Sequence, residues 1–416
     1  MDNVQAEEPR PALKTSGTGS HPIEDTQYLK SMRICMIGLR GIPDVQGGVE
    51  KHVEQLVSNL VNLGADVHVF ARKNYVAGTG PYNWHGITVH PLWAPRSTRL
   101  EAILHTALAL WKARLLDPDI VHIHAVGPSL VAPLARLLGL KVVFTHHGYD
   151  YDREKWNSFE KRILRLGEWT GMRFSHARIA IAKHIAERMQ KDFNEPVYFI
   201  PNGVKVDTRS LDNTVLTEFG LEKRRYILLV ARLVAEKRQL DLIEAFTRAK
   251  LKNTKLVLVG GGDVGSEYAR ELQMRALADP RVILTGTQSG HKLGSLFANA
   301  GLFVLPSSHE GMPIALLEAM AHDLPVLASD IEANLGLGLD DASYFPLGNI
   351  DALTAALQRK LESQSIPRAP TTDSAKIVSK YDWQTISLRT AEIYRSISKV
   401  KARRTVSQEK TATVDA

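Results

Sequence analysis

Short apolar runs alternate with segments of helical spacing along this chain, and the alternation occurs in two rounds. The first round has apolar runs at 33–38, 66–70, 87–90, 119–123, 141–145, 177–182 and 197–200. The second has runs at 226–230, 255–259, 281–284, 301–305, 325–328 and 343–346, with helical segments near 239–249, 265–278, 290–299 and 313–321 between them. Strands that alternate with helices return to a common sheet by right-handed crossovers, which makes the sheet parallel. The pattern predicts an α/β chain of two consecutive Rossmann-like halves joined near Pro201-Asn202-Gly203-Val204. The joint leaves a cleft between the carboxyl edges of the two sheets, where open α/β sheets bind ligands. After Gly48, the residues Val49, Val53, Leu56, Val57 and Leu60 form one stripe of a helix.

At 416 residues with 44% apolar content, the chain can fill two cores. Residues 1–30, rich in Pro, Gly, Ser, Thr and Glu, read as a disordered tail, and 401–416 as a second, basic one. The one cysteine, Cys35, lies in the apolar run Arg33-Ile34-Cys35-Met36-Ile37 and reads as a buried small hydrophobe, which suits a reducing cytosol. No apolar stretch reaches the length of a membrane span, and the polar N-terminus has no signal-peptide core. A net charge of +7 and a pI near 9.3 point to phosphorylated ligands or anionic lipid. Nucleic acid is set aside, because no helix-turn-helix, zinc-finger or aromatic-basic RNA motif is present.

The residues that could carry chemistry follow the apolar runs. Glu310 and Glu318 come after Leu302-Phe303-Val304-Leu305-Pro306, with a turn at Gly311 and a helix opening near Pro313. Two carboxylates beside a helix N-terminus suit hydroxyl groups flanking a phosphate, although a solvated helix carries such pairs too. Gly47-Gly48 at the start of the first helix permits close backbone approach to a phosphate, or simply turns the chain. Arg232 follows the run 226–230 and Lys237 comes five residues later. A forked guanidinium and a point charge suit a diphosphate, and a basic surface loop has the same composition. Gly260-Gly261-Gly262-Asp263 ends the next run.

In Thr145-His146-His147-Gly148 at least one histidine should reach the cleft, as a donor to a sugar or phosphate or as a packed residue. His122 and His124 share a strand face, and with no third ligand at useful spacing they read as packing or cleft lining. The Asp-x-Asp spellings Asp117-Pro118-Asp119 and Asp150-Tyr151-Asp152 are set aside as metal sites. The first is at the wrong strand edge, and the second runs into charged helix. Two basic amphipathic segments, Arg96–Leu116 and Arg153–Arg178, either lie on anionic lipid or pack as ordinary core helices. Arg96 and Arg99 flank the first, whose apolar stripe begins at Leu100. No GxGxxG with its downstream acid is present, which argues against a nicotinamide dehydrogenase.

In this order, the motifs make residues 32–400 resemble the family-4 retaining glycosyltransferases of the GT-B fold, nucleotide-sugar enzymes of which many build bacterial surface polysaccharides. The resemblance rests on Gly47-Gly48, Thr145–Gly148, Pro201–Val204, Arg232 with Lys237, Gly260–Gly262 and Glu310-x7-Glu318. The Arg40-Gly41-Ile42-Pro43 opening and the run from His147 to Trp156 look like a polysaccharide-assembly branch. The resemblance implies an acceptor domain over 31–203, a donor domain over 204–383, and a helix at about 384–400, after Trp383, that returns to the first domain.

It further implies Arg232 and Lys237 on a donor diphosphate, with Gly47, Gly48 and Gly261 beside it. Glu318 would bind the ribose. Glu310 would contact the donor sugar, next to Gly311, Met312, Pro313 and Ile314. His147 would line the sugar site, and Ile283, in a turn at Val282–Thr285, would meet the base. His322 stands where the family more often has a small residue. No metal or other cofactor is implied. The expected partners are a nucleoside-diphosphate sugar, a carbohydrate or lipid-linked oligosaccharide acceptor, and an anionic membrane touched peripherally from the cytoplasmic side. A GT-B-like nucleotide-sugar 2-epimerase and a non-catalytic nucleotide-sugar-binding protein remain alternatives.

Overall fold

The computed structural model describes residues 27–95, 101–153, 156–205, 214–262, 265–362 and 372–398. Arg96, Arg99, Leu100, Asp263 and the tail 401–416 lie outside the described residues, as does the first tail up to residue 26. Leu29 is buried in the first core, and its N–H donates to the Leu63 carbonyl at 2.7 Å. Leu29 thus belongs to the core of the first lobe.

Two sheets form. The first contains β1 (Arg33–Ile37), β2 (Asp66–Arg72), β3 (Tyr82–Trp84), β4 (Ile87–Leu92), β5 (Ile120–His124), β6 (Val142–His146), β7 (Ala177–Ala180) and β8 (Tyr198–Phe199). Their order is β3-β4-β2-β1-β5-β6-β7-β8, parallel except for β3 against β4. The second contains β9 (Tyr226–Val230), β10 (Lys255–Val259), β11 (Val282–Gly286), β12 (Leu302–Leu305), β13 (Val326–Ser329) and β14 (Tyr344–Phe345), ordered β11-β10-β9-β12-β13-β14 and all parallel. Every expected apolar run became a strand. A sheet covered on both sides needs apolar residues at successive positions, and that makes such runs visible.

The faces alternate as strand geometry requires. Ile34, Met36, Val67 and Val69 pack under the helices Gly48–Asn62 and Trp383–Ile397. Cys35, Ile37, Val121 and Ile123 face the opposite layer, which includes Ala109, Leu110 and Ala113 of the helix Glu101–Leu115. Burial pushes the Cys35 thiol up to about 12, so it behaves as the expected inert hydrophobe. In the second sheet, Leu228, Val257 and Phe303 pack on one side with Leu316 and Leu317, while Ile227, Leu229 and Leu258 pack on the other with Leu242 and Phe246.

The strand β3 was missed by the sequence reading. It is three residues long and lies at the sheet edge, paired to β4 through His85 and Gly86, both with positive φ. That two-residue turn was the available hairpin signal.

The chain crosses between the lobes twice, at Pro201–Val204 and at Tyr381–Trp383, and Val204 bridges Asp382 where the crossings meet. A Cβ on Gly203 would come within 2.6 Å of the Trp383 ring, so only glycine lets the two crossings pack. The helix Trp383–Ile397 then lies against Gly48–Asn62. Its Tyr394 hydroxyl reaches Nδ1 of buried His122 at 2.6 Å, while His122 Nε2 meets the Thr145 hydroxyl at 2.6 Å. Tyr394→Phe leaves that ring nitrogen buried without a partner. It is expected to lower stability by about 1–2 kcal/mol in denaturant unfolding, with the denaturant slope unchanged.

Candidate active site

A cavity of about 1300 Å³ opens between the carboxyl edges of the two sheets. Gly38, Ala125 and His147 line it at the ends of β1, β5 and β6, and Arg232, Gly260 and Leu305 at the ends of β9, β10 and β12. In each sheet the strand order reverses here, between β1 and β5 and between β9 and β12. Ligands collect at such points in open α/β sheets.

Two helix N-termini border the cavity. The helix Gly48–Asn62 begins after Gly47, and the helix Ile314–Ala321 after Pro313; neither has a side-chain cap. Uncapped first-turn N–H groups and the helix dipole favour an anion at both places. No atom would crowd a Cβ on Gly48, so Gly48→Ala should fold normally. If a phosphate approaches this backbone, the added methyl is expected to weaken nucleoside-diphosphate binding roughly tenfold in calorimetry, by obstructing close approach. Unchanged affinity would remove Gly48 from the site.

Arg232 follows β9, and Lys237 ends the turn Ala235–Lys237. The Lys237 ammonium donates to Glu310 Oε1 at 2.5 Å. Both side chains are largely shielded in the cleft. Glu310 thus stands between the cation and the loop that leads to the second helix N-terminus. Glu318, one turn into that helix, also lines the cavity. Burial raises its carboxyl to about 7, and Lys51, across the cleft, draws it back down.

The lobes meet at Gly311. A Cβ there would come within 1.9 Å of the His147 carbonyl oxygen, and one on Gly148 within 3.3 Å of the Gly311 Cα. Thr-His-His-Gly splits its histidines: His147 lines the cavity, while His146 turns inward and bonds Glu168 at 2.8 Å.

The expectation of no third histidine near His124 is corrected. Ring nitrogens of His52, His124 and His147 lie within 4.8 Å of one another. Desolvation lowers all three, His52 to about 4, and so favours the neutral imidazoles. His124 Nδ1 and His147 Nε2 are 3.0 Å apart, and His52 Nδ1 bonds Asn202 Oδ1 at 2.8 Å. These bonds engage one nitrogen of each ring within the protein.

The cavity brings together Gly47, Gly48, His147, Arg232, Lys237, Glu310, Gly311, Met312, Pro313, Ile314 and Glu318. Gly261 and Ile283 are not among the residues that line the cavity. Gly261 is flanked by two lining residues, but its N–H donates to Gln46 Oε1 of the other lobe at 3.0 Å. Ile283 lies within β11, paired with Val257 and packed against the core, so Val282–Thr285 is strand rather than turn. Beyond that strand, Thr287, Gln288 and Ser289 form the wall.

The discarded Asp-x-Asp spellings have other partners: Asp119 accepts from the Arg33 N–H at 2.7 Å, and Asp150 pairs with Arg153 at 3.0 Å. His322 caps its helix and stacks on Phe297, away from the cavity lining.

Four residues of the site were not singled out from sequence for these roles. Arg153 reaches across the cleft to Glu236 at 3.8 Å. Asn202 holds both lobes, accepting from His52 and donating to the Met312 carbonyl at 3.0 Å. Gln46 makes the contact to Gly261. His52 carried a readable signal, a polar residue on the apolar stripe beside Val49, Val53 and Leu56.

Residues 46–208 match the family model Glycosyltransferase Family 4, and residues 217–376 match Glycosyl transferases group 1. The phosphatidyl-myo-inositol mannosyltransferase of Mycolicibacterium smegmatis is 27% identical over 85% of this chain and 92% of its own length. The UDP-Gal:alpha-D-GlcNAc-diphosphoundecaprenol alpha-1,3-galactosyltransferase of Escherichia coli is 28% identical over 58% of this chain and 66% of its own length. Among solved structures, sucrose-phosphate synthase from Thermosynechococcus elongatus superposes with a TM-score of 0.76 at 20% identity, covering 88% of this chain and 98% of that one. Anabaena HepE in complex with UDP and glucose superposes with a TM-score of 0.71 at 19% identity, covering 88% and 100%. The two lobes, the cleft between them and the matched families lead to one assignment: the chain is a glycosyltransferase of family 4, with the GT-B fold.

Proposed function

We propose that the protein moves a sugar from a nucleoside-diphosphate sugar to an acceptor hydroxyl, with retention of anomeric configuration and without a metal ion. The observation that carries this reading is the convergence on one cavity of Arg232, Lys237, two uncapped helix N-termini, and the carboxyls of Glu310 and Glu318. In this reading residues 204–383 bind the donor, and 31–203 with the returning helix receive the acceptor. Arg232 and Lys237 bear the negative charge that builds on the departing diphosphate, the task a divalent cation performs elsewhere. Glu318 accepts from the ribose hydroxyls. Glu310 and His147 orient the donor sugar, with Gly311–Ile314 beside it.

The acceptor hydroxyl approaches the anomeric carbon from the side the diphosphate leaves. A carbon–oxygen bond to the acceptor forms as the bond to the phosphate oxygen breaks, and the hydroxyl proton passes to that phosphate. Closure of the lobes at Gly311 and Gly148 keeps water from taking the acceptor's place.

The relatives support the substrate classes. Anabaena HepE is a UDP-glucose complex in one structure, and the E. coli relative acts on a diphosphoundecaprenol-linked sugar. We extend this to a lipid-linked oligosaccharide acceptor in surface polysaccharide or glycolipid assembly, met at the cytoplasmic face of a membrane. No helix among the described residues is long and apolar enough to cross a membrane.

Thermal shift with UDP-, GDP- and ADP-sugars, followed by turnover with membrane-extracted lipid acceptor, tests the reading. Protection by one nucleotide class and EDTA-resistant transfer are expected, with the anomeric configuration kept in the product's NMR spectrum. Donor consumption that yields an epimer without acceptor would favour the 2-epimerase. Binding without any turnover would favour a sensor.

A further inference from the structure

Three helices cover one face of the first sheet: Glu101–Leu115, Ala132–Leu137 and Ser158–Phe174. The turn Pro128–Val131 leads into the short helix and touches both long ones, so the three lie side by side. Their inner sides are occupied by core packing, such as Leu110 and Ala135 beneath the first two and Met172 beneath the third.

The outer sides are apolar where the back of a core helix is ordinarily polar. Leu104, Trp111 and Leu115 recur at helical spacing on the outside of the first helix, with Trp111 60% exposed. Phe159, Leu166 and Trp169 do the same on the third, with Phe159 68% exposed. Leu134 and Leu137, the latter 83% exposed, continue the surface on the short helix. Singly exposed apolar residues need no explanation, but eight on one helical layer do.

The charges on this layer are one-sided. Lys112, Lys161, Arg162 and Arg165 stand among the apolar residues. The acids of the same helices are used within the fold: Glu101 pairs with Arg72 at 3.2 Å, Glu168 accepts from Tyr151 at 3.1 Å, and Glu160 closes a capping box with Asn157. Arg114 and Arg173 are matched by Asp117 at 4.0 Å and Glu195 at 2.7 Å, so they add little net charge. Arg165 rests over the Tyr151 ring at 5.2 Å but has no acidic partner among the described residues, and none is seen there for Lys112, Lys161 or Arg162. Tryptophan and leucine interleaved with such cations is the composition of a helix lying in a bilayer interface, and clustered cations select anionic lipid. The layer also adjoins the cleft, since Ala102 and Ile103 of the first helix and Ile163 and Leu164 of the third line the cavity wall.

We infer that this helical layer docks on an anionic lipid bilayer, with Trp111 and Trp169 at headgroup depth and Arg162 and Arg165 on lipid phosphates. The mouth of the cleft then faces the lipid surface. This specifies how the proposed lipid-linked acceptor is met and rests on that reading for its purpose, though not for its geometry.

Flotation of the full chain with phosphatidylglycerol-rich vesicles, against pure phosphatidylcholine vesicles, tests it. Co-flotation with the anionic vesicles, reversed by high salt, is expected. Arg162→Glu with Arg165→Glu should weaken vesicle binding by at least about 30-fold, at roughly fivefold per lost cation. Trp111→Ser with Trp169→Ser should release the protein without removing a charge. Thermal unfolding and protection by UDP or GDP should match wild type in both double variants, which separates loss of the surface from loss of the fold. Failure of wild type to float, equal flotation with phosphatidylcholine, or flotation of the well-folded variants at the wild-type level would overturn the inference. So would concentration-dependent dimerisation abolished by Trp111→Ser, which would assign the face to a second copy. Flotation without protection by any nucleoside diphosphate would support this surface and sink the transferase reading instead.

Discussion

Lys237→Ala is expected to lower kcat/KM for sugar transfer by about 10²–10³-fold, as removal of one preorganised charge-stabilising group does in other enzymes. The side chain lies in the cleft 2.5 Å from Glu310, and the turn that carries it is held by backbone bonds, such as the Lys237 N–H to the Val234 carbonyl at 2.9 Å. The variant should therefore fold. Its loss acts twice. The departing diphosphate loses a point charge, and Glu310 becomes a carboxylate without its cation next to the same phosphates. That second effect makes the pair non-additive: adding Glu310→Gln to Lys237→Ala should cost less than the two single losses combined. Lys237→Arg should recover part of the rate, because charge returns with different reach. Measured by steady-state kinetics with melting temperature as the control, wild-type turnover in Lys237→Ala would show that the ammonium takes no part in the transfer.

Glu318→Gln should move stability and donor binding in opposite directions. Burial raises the native carboxyl from its ordinary 4.5 to about 7. A group raised in the native state adds stability that is complete below the unfolded value and is lost as pH rises through the native one. Free of ligand, the wild type should therefore lose stability between about pH 4.5 and 7 through this residue. The glutamine variant should be more stable at pH 8 by roughly 2 kcal/mol, a figure reduced because the carboxyl is partly open to the cavity. Nucleoside-diphosphate affinity should nevertheless fall by about 10–100-fold, the worth of hydrogen bonds to a charged acceptor. Wild-type affinity should also decline as pH drops through about 7 and the carboxyl takes up its proton. Melting curves and calorimetry across this range test both halves. A variant with unchanged affinity and no pH-dependent gain in stability would place Glu318 outside the ribose site.

The fold was legible because its strands are central and parallel: Ile34-Cys35-Met36-Ile37 is buried on both faces and reads as an unbroken apolar run. The edge strand β3 is short and half-buried, and shows no such run. Cleft residues that follow strand ends, such as Arg232 and Glu310, were legible for the same reason, since parallel strands all deliver their loops to one edge. The turn expected at Val282–Thr285 is strand instead, because β11 runs on to Gly286, beyond the apolar run that ends at 284. Links across the lobes left no local trace of which residues they join. His52 meets Asn202 over 150 residues of chain, and Asn202 meets Met312 over 110, so no periodicity encodes either contact.

Calorimetric titration of the full chain with a nucleoside, its monophosphate and its diphosphate, repeated for Arg232→Ala and Lys237→Ala, tests the central claim most directly. A steep gain in affinity on adding the second phosphate, largely abolished in both variants, is the predicted result. Equal affinity along the series, or a gain that survives both substitutions, would contradict it.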